Sequence, residues 1–569
     1  MLKRNTPSPA FAGIAYNKDT SIKKEREGIC FSSSEAKDFN SFSSAPRHKK
    51  NGSLKPPKKD LTIEINTRTL SIAIISILAA IVLIVLVSAL VASASKNIKF
   101  KNNTFLCYED ENGSYVVLKN GKAIRDVFAD KITITPAADN SFAYITADTP
   151  DGYDVYLLEG KRPKLICDNA QSIEAYAELC PAVVYVKDDR SIYYYDGSET
   201  VITTGSGTAS NIVISPDATA VMYNAPARTN PELSALFLYT TAKDASDQLN
   251  DGSATTVIPV TVSNKGKYAL VYTVNPDNKD KKSLFAVLDG KETRLITKLN
   301  GYFGSVLYKN SDDTEIVFST TDKNGTNHTY VLDLKKISKK KDNIAHYLGT
   351  GISVPQVTDE RIVRLDTLKK TYFRNTEELR TFFLDKKYRV LEVADSIGEF
   401  DPDLKYFYFV DKQEEEKVLC RINIKNGKVK STTPLNSKVE GFYVTEKGNV
   451  YYLDEYFDLF FYKNSQDKSI RIANNVHNID FYEYKNLLFL EVYDTNGASA
   501  VYSSTEGSDH ELAKFGGQTI SKIPTLTNGY SKNTYAICKD AETDNTVIYY
   551  TSNGKSFKKV ATTSNLVTK

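Results

Sequence analysis

The chain of 569 residues is poor in the residue types that most often carry catalysis and metal binding. It contains no Trp, 5 His and 6 Cys. Four of the histidines are scattered through the larger part of the chain without the H-E-x-x-H spacing of zinc enzymes, namely His328, His346, His477 and His510. No G-x-S-x-G segment marks a nucleophilic serine. The sequence therefore predicts no catalytic residue, no metal and no cofactor.

Cysteine is also too sparse for a disulfide framework. Five of the six lie far apart, without C-x-x-C spacing, at Cys107, Cys167, Cys180, Cys420 and Cys538. We expect most of them to be buried as small hydrophobic residues. The sequence alone leaves open whether any of them pair.

The first 68 residues have a composition of their own. They hold 14 Lys and Arg against 7 Asp and Glu, whereas residues 69–569 hold 59 against 63, a net charge of −4. Ser, Lys, Pro and Asn dominate this segment, and few large apolar residues offset its chain entropy. We predict a disordered, basic, cytoplasmic tail over residues 1–68. The net charge of −4 on the remainder argues against a nucleic-acid partner.

One long apolar run follows the tail. Leu70–Ala94 has 25 residues without a charge, Pro or Gly, enough for a helix to cross a hydrocarbon core of roughly 30 Å. We predict a transmembrane helix over residues 69–95 that holds the protein in the lipid bilayer. Ala92-Ser93-Ala94 resembles a signal-peptide cleavage site, so cleavage and release is the alternative.

The flanking charges predict the orientation of this segment. Lys and Arg are more frequent before it than after it, and positively charged flanks tend to stay in the cytoplasm. We therefore expect a single-pass protein of the cell membrane with residues 96–569 outside the cell. The cluster Lys50, Lys55, Lys58 and Lys59 would attract anionic lipid headgroups. Alternatively, the tail is a soluble leader that only sets the topology.

Repetition dominates the large part of the chain. FLCYEDENGSYVVLKNGK at Phe105 has a near echo in YAICKDAETDNTVIYYTSNGK at Tyr535. Nine further copies of this alternating strand, polar turn and second strand lie between them, roughly every 35 to 55 residues. Two more apolar runs accompany many copies, such as KLICD and NIVISP. Four strands per repeat predict an all-β tandem β-propeller of about eleven blades.

The turns between repeats carry a resemblance to a known family. NIVISPDATAVMYN, with Ser215, Pro216 and Asp217, resembles the S-P-D-G turn of TolB-type propellers and of the propeller of prolyl oligopeptidase relatives. The resemblance implies a propeller over residues 100–569, and the sequence lacks the hydrolase domain of those peptidases. We expect Asp217 and Asp403 to shape turns and to have no catalytic role.

Eleven blades exceed the roughly 4 to 8 blades that a single propeller ring typically contains, so we predict two rings. The repeat spacing is largest near Lys335 to Gln356. We therefore expect a first propeller over residues 96–345 with six blades and a second over residues 346–569 with five.

Two function classes remain open from the sequence. The first is a non-enzymatic, extracytoplasmic module that binds or scaffolds a protein, peptide or envelope ligand. The second is an enzyme of the lyase or glycosidase type that uses paired carboxylates in one funnel. Turns such as EDENGS and TDKNGT resemble fragments of calcium loops, but hairpin turns explain them better. The scarcity of enzyme signals favours binding, and the ligand cannot be named from the sequence.

Overall fold

We describe the protein from a computed structural model of the chain. The described residues lie within 98–567, and the gaps are residue 100, 125–130, 204–209, 251–256, 276–277, 338–342, 358–361, 366, 369–370, 414–415, 426–427, 446, 483–486, 494–498, 506–512, 515–524, 527–532, 541–542 and 554–555. The predicted tail and the predicted membrane segment Leu70–Ala94 lie outside the described residues. Among the residues that are described, no helix is long and apolar enough to cross a membrane.

The described strands form eleven sheets of four or five strands, which we number as blades 1–11 in chain order. The strands up to blade 5 are β1 (Ile98–Lys99), outside the blades; β2 (Phe105–Glu109), β3 (Tyr115–Lys119) and β4 (Lys122–Ala123) in blade 1; β5 (Ile132–Pro136), β6 (Ala143–Thr149), β7 (Gly152–Leu158) and β8 (Lys164–Ala170) in blade 2; β9 (Ser172–Tyr176), β10 (Val183–Val186), β11 (Ile192–Tyr195) and β12 (Glu199–Thr203) in blade 3; β13 (Ser210–Ile214), β14 (Ala220–Pro226), β15 (Ser234–Thr240) and β16 (Ala245–Gln248) in blade 4; β17 (Val257–Val262), β18 (Tyr268–Asn275), β19 (Asn278–Leu288) and β20 (Glu292–Thr297) in blade 5.

The later strands are β21 (Tyr302–Lys309), β22 (Glu315–Thr321), β23 (Asn327–Asp333) and β25 (His346–Thr350) in blade 6, with β24 (Asn343–Ile344) added to the edge of blade 5; β26 (Gln356–Val357), β28 (Thr371–Asn375), β29 (Arg380–Leu384) and β30 (Val390–Ala394) in blade 7, with β27 (Ile362–Arg364) outside the blades; β31 (Gly398–Phe400), β32 (Tyr406–Gln413), β33 (Glu416–Lys425) and β34 (Lys428–Asn436) in blade 8; β35 (Val439–Val444), β36 (Val450–Asp454), β37 (Leu459–Lys463) and β38 (Lys468–Ala473) in blade 9; β39 (Val476–Tyr482), β40 (Leu487–Tyr493), β41 (Ser499–Thr505) and β42 (Ala513–Lys514) in blade 10; β43 (Thr525–Leu526), β44 (Thr534–Lys539), β45 (Thr546–Thr551) and β46 (Lys558–Thr563) in blade 11; and β47 (Asn565–Val567).

Each blade is an antiparallel meander whose strands we letter A to D in pairing order. Apart from short 3-10 turns at Asn264–Gly266, at Leu334–Lys336 and at Leu368, the described residues contain no helix. Over the described residues, the prediction of an all-β fold with about eleven four-stranded repeats is confirmed, and the arrangement is consistent with a tandem β-propeller. The A–B and C–D turns lie on one side of each blade, which we call the AB/CD side, and the B–C turns lie on the BC side.

The S-P-D segment of blade 4 forms a tight A–B turn through its own side chains. The backbone N–H groups of Ala218 and Ala220 donate to the carbonyl and to the hydroxyl oxygen of Ser215, at 2.9 and 3.0 Å. Asp217 accepts from the backbone N–H of Thr219 at 3.1 Å. Ala218 has φ 59°, a conformation that suits the Gly of the S-P-D-G pattern better than alanine. The predicted structural role of Asp217 is therefore confirmed.

The last strand of the chain completes the first blade. β47 pairs with β2 as its strand A, with Cys107 opposite Val567. Leu106 and Leu118 of blade 1 also pack in one buried cluster with Tyr535 and Ile548 of blade 11. The two echoing segments at the ends of the chain are therefore neighbours in space.

The predicted division into two rings stays a prediction. A boundary between residues 345 and 346 would separate β25 from the rest of blade 6. One buried cluster also spans it, because Val317 and Val331 of blade 6 pack with Phe373 and Phe382 of blade 7.

Candidate functional site

A buried ionic network lies where A–B connections of several blades meet. Arg364, in the connection between β26 and β28, is 7% exposed. Its guanidinium donates to Asp313 Oδ1 at 2.8 Å and to Glu178 Oε2 at 2.6 Å. Asp313, 1% exposed, also pairs with Lys309 at 2.8 Å and accepts from the hydroxyl of Thr261. The network thereby joins blades 3, 5, 6 and 7.

This network suits a structural role better than proton transfer. Asp313 accepts from two cations and a hydroxyl, and burial makes each of these bonds costly to lose. A second polar cluster lies nearby, where the Tyr388 hydroxyl is 2.9 Å from Glu315 Oε1 and 3.0 Å from Asp333 Oδ2. Burial is the main cause that raises the pKa of Tyr388, so the phenol stays protonated. Both clusters connect blades, and neither was found from the sequence.

An acidic cavity of about 330 Å³ opens on the BC side between blades 2 and 3. Its lining includes Asp168, Asp189, Lys187 and Tyr193. The Lys187 ammonium lies 4.9 Å from the ring centroid of Tyr193 and 3.4 Å from Asp168 Oδ1. The backbone N–H of Ser191 donates to Asp189 and lowers the pKa of its carboxyl. Asp189 is therefore suited to hold a negative charge and not to donate a proton.

Three B–C turns share one hydrogen-bonding geometry but differ in sequence, since two of them contain Asn-Gly and the third does not. In blade 1 the turn is Asp110-Glu111-Asn112-Gly113-Ser114, in blade 6 it is Asp322-Lys323-Asn324-Gly325-Thr326, and in blade 9 it is Asp454-Glu455-Tyr456-Phe457-Asp458. In each turn the first Asp accepts backbone N–H bonds from the third and fifth residues through Oδ1. The fourth residue donates to the backbone carbonyl of that Asp at 3.0, 3.0 and 3.1 Å.

Only the blade 9 turn, among these three, places aromatic residues at its tip. The fourth residue has φ 78° in Gly113, 81° in Gly325 and 62° in Phe457. A bulky side chain at positive φ is strained. Tyr456 and Phe457 are 66% and 49% exposed, and the Lys438 ammonium lies 5.9 Å from the ring centroid of Tyr456. We call Tyr456 and Phe457 the aromatic tip.

The structure describes the side chains of two of the histidines and of Asp403, and each of them contacts a neighbouring side chain. His328 Nε2 lies 3.2 Å from Asp322 Oδ2, and the His346 ring lies 5.3 Å from the Tyr388 ring at a tilt of 42°. Burial is the main cause that lowers the pKa of His346, and Lys336 contributes. Asp403 pairs with Lys405 at 2.7 Å in an exposed turn. The described residues contain no group of three or more His, Cys, Asp or Glu that could hold a metal ion.

All five cysteines named above are free thiols, and four of them are buried. Burial raises the pKa of Cys107, Cys167 and Cys538 to about 12. The prediction that most of these cysteines act as small buried residues is confirmed.

The turn sequences at Asp110 and Asp322 shape hairpins, as predicted. The GSGTAS stretch at Gly205, for which the sequence predicts an inter-strand loop, and the YDTNGA turn at 493–498 fall largely outside the described residues.

No protein family matches the chain, and no curated protein matches it. Solved structures do show similarity. The tricorn protease matches at 13% identity and a TM-score of 0.26, over 79% of this chain and 49% of that one. An oligogalacturonate lyase in complex with manganese matches at 14% identity and a TM-score of 0.31, over 58% and 99%. TolB from Acinetobacter baumannii matches at 11% identity and a TM-score of 0.24, over 62% and 66%.

This chain thus spans about half the length of the tricorn protease. Similarity at these identities and TM-scores carries no argument about function. The class of the protein rests on its own eleven sheets, which are those of a propeller-type, all-β repeat protein.

Proposed function

We propose that the protein is a membrane-anchored, extracytoplasmic propeller that acts as a non-enzymatic binding or scaffolding module for a protein or peptide. The anchor is the apolar segment Leu70–Ala94, and the charge pattern around it supports an external position for residues 96–569. An envelope ligand other than a protein is a further candidate from the sequence, but the aromatic tip favours a protein surface.

The aromatic tip is the observation that carries this proposal. The turns of blades 1 and 6 achieve the same hydrogen bonding with Asn-Gly, so Tyr456-Phe457 is not needed for the turn. Exposed Tyr and Phe supply large contact areas at low cost in side-chain entropy, and aromatic residues are enriched at the centres of protein interfaces. Strain that the fold does not require is often found at binding sites.

An enzyme would require a group that donates or accepts a proton at neutral pH. In the acidic cavity, Asp189 has a lowered pKa, and Lys187 pairs with Asp168 and with Glu199 at 3.0 Å. A general acid of a glycosidase instead needs a raised carboxyl pKa. The residues that line this cavity therefore do not supply the general acid of the glycosidase that the sequence left open.

The test exploits the two related turns. The double variant Tyr456→Asn/Phe457→Gly gives blade 9 the residues found in blades 1 and 6, so the fold is expected to be kept. Intact cells that express the full chain are treated with a cell-impermeant cross-linker, and captured proteins are quantified by mass spectrometry. We expect at least one protein captured by the wild type to fall to background in the variant.

Tyr153→Asn serves as the matched control, since Tyr153 is 38% exposed and lies beside the B–C turn of blade 2. Capture should be unchanged in this variant. Equal capture by all three proteins would contradict the proposed role of the aromatic tip.

A further inference from the structure

We propose that the C–D turns of blades 6–9 form a basic surface that docks on anionic lipid headgroups of the membrane that holds the anchor. This inference rests on the proposed function for the anchor. It concerns a surface on the AB/CD side, whereas the aromatic tip lies on the BC side.

Charge is divided between the two sides of these blades. The described residues of the C–D segments, 333–337, 385–389, 425, 428–430 and 463–468, contain 10 Lys and Arg against 3 Asp, a net charge of +7. The described residues of the B–C turns of the same blades, 322–326, 376–379, 412–413, 416–417 and 454–458, contain 3 Lys against 7 Asp and Glu, a net charge of −4. The basic surface is therefore a property of one side and not of the blades as a whole.

Blades 2–4 provide an internal reference. Their C–D segments 158–164, 195–199 and 240–245 contain 4 Lys and Arg against 4 Asp and Glu, so their net charge is zero. The C–D segments of blades 6–9 are thus more basic than those of blades 2–4. Each Lys or Arg held near an anionic lipid surface contributes about 1 kcal/mol of attraction.

Contacts between neighbouring blades show that the AB/CD sides face the same way. The A–B turns of blades 4 and 5 touch, because the backbone N–H of Asp217 donates to Asn264 Oδ1 at 3.2 Å. Those of blades 6 and 7 touch, because the backbone N–H of Ser311 donates to the carbonyl of Leu365 at 2.8 Å. Within each of these two pairs, the C–D turns therefore lie on the same side.

Side chains of the C–D turns also touch one another. Lys336 Nζ lies 3.5 Å from the carbonyl of Lys386 and 4.3 Å from the ring centroid of Tyr388, which joins the turns of blades 6 and 7. Arg421 of blade 8 donates to the Tyr462 hydroxyl of blade 9 at 3.0 Å, beside the C–D turn of that blade. Lys386, Lys387 and Lys468 are exposed.

The start of the described chain identifies the lipid surface as the occupant. β1 pairs with β27, which belongs to the A–B connection of blade 7, so the chain enters the domain on the AB/CD side. Three residues, 95–97, separate Ala94 from Ile98, and this stretch spans at most about 14 Å when extended. An anchor that ends at Ala94 would therefore be tethered within this length of Ile98, which pairs with the A–B connection of blade 7.

Tryptophan fluorescence provides the test, because the chain contains no Trp. A single Trp is introduced in the full chain at Gln466→Trp, in the C–D turn of blade 9, or at Tyr456→Trp, in the B–C turn of the same blade. Each protein is reconstituted in lipid nanodiscs that contain dansyl-labelled lipid, either of neutral phosphatidylcholine or with added phosphatidylglycerol. Energy transfer from Trp to dansyl reports which side of the blade lies near the lipid.

We expect greater transfer from Gln466→Trp than from Tyr456→Trp. We also expect phosphatidylglycerol to increase the transfer from Gln466→Trp by about twofold or more, and salt to reverse the increase. Lys386→Glu/Lys387→Glu/Lys468→Glu should remove the increase. The matched variant Lys161→Glu/Arg162→Glu/Lys243→Glu, in the C–D turns of blades 2 and 4, should retain it.

Equal transfer from the two Trp positions, or equal loss in the two triple variants, would overturn the inference. Failure of the chain to remain with the nanodisc would instead contradict the proposed anchor. In that case the same two triple variants are compared by sedimentation with phosphatidylglycerol vesicles. Binding by the wild type that only the Lys386/Lys387/Lys468 variant loses would still support the basic surface, and any other result would refute it.

Discussion

Two junctions between blades are built in different ways. Between blades 11 and 1 the chain is joined by the main-chain pairing of β47 with β2 and by an apolar cluster that contains Leu106 and Tyr535. Between blades 6 and 7 an apolar cluster is supplemented by buried polar bonds, from Arg364 to Asp313 and from Tyr388 to Glu315 and Asp333.

This difference predicts how each junction responds to substitution. Pairing through the main chain depends little on side-chain identity, so the first junction should tolerate single substitutions and fail only when the strand is lost. Buried ionic groups leave an uncompensated charge when one partner is removed. The second junction should therefore be sensitive to single side chains.

Deletion of residues 565–569 should have the largest effect. It removes β47 and exposes the edge of β2, including Cys107, which is 0% exposed in the intact protein. Loss of the backbone hydrogen bonds and of the apolar burial is expected to lower the free energy of unfolding on the order of 5 kcal/mol. Urea unfolding of the truncated and the intact chain measures this difference in the free energy of unfolding. An effect below about 1 kcal/mol would show that β47 does not close blade 1.

The two-ring prediction is tested by separating the chain. Two independent rings require residues 96–345 and 346–569 to unfold cooperatively by themselves. The structure instead leads us to expect that neither half does so, because β25 and β47 would each be parted from their sheets. Calorimetry of the separate and the mixed halves distinguishes the two outcomes.

Arg364→Ala should be the most damaging single substitution at the junction of blades 6 and 7. It leaves Asp313 with Lys309 but without its second cation, and we expect a loss of about 3 kcal/mol in the free energy of unfolding. The matched control is Arg471→Ala, which removes an exposed pair with Asp458 and should cost less than about 1 kcal/mol. Similar losses in the two variants would contradict a buried role for Arg364.

Tyr388→Phe should have a smaller effect at the same junction. It removes the hydroxyl that reaches Glu315 and Asp333, but Lys336 still pairs with Asp333 and the backbone N–H of Leu368 still donates to Glu315. We expect a loss of about 1.5 kcal/mol, which equilibrium unfolding can resolve. A loss near that of Arg364→Ala would show that the two clusters act as one network.

The sequence predicted the repeats well because a blade is a local structure. Alternating apolar residues and turn residues act within about 40 residues, so the eleven sheets followed from periodicity. Arg364 was missed because its partners Asp313 and Glu178 lie 51 and 186 residues away, and only the packing of blades brings them together. The aromatic tip was visible in principle, since alignment of the repeats places Tyr456-Phe457 opposite Asn-Gly.

The smallest predicted effect compares the turns of blades 6 and 9. Phe457→Gly should stabilise the protein by about 1 kcal/mol, because glycine adopts positive φ without strain. Gly325→Ala should destabilise it by about 1 kcal/mol, although an added Cβ would meet nothing within 4 Å. If the two variants change the thermal stability in opposite directions, the backbone conformation, and not side-chain contacts, sets the free-energy cost of the aromatic tip. If Phe457→Gly instead destabilised the protein, Phe457 would serve the fold, and the argument for its role in binding would fail.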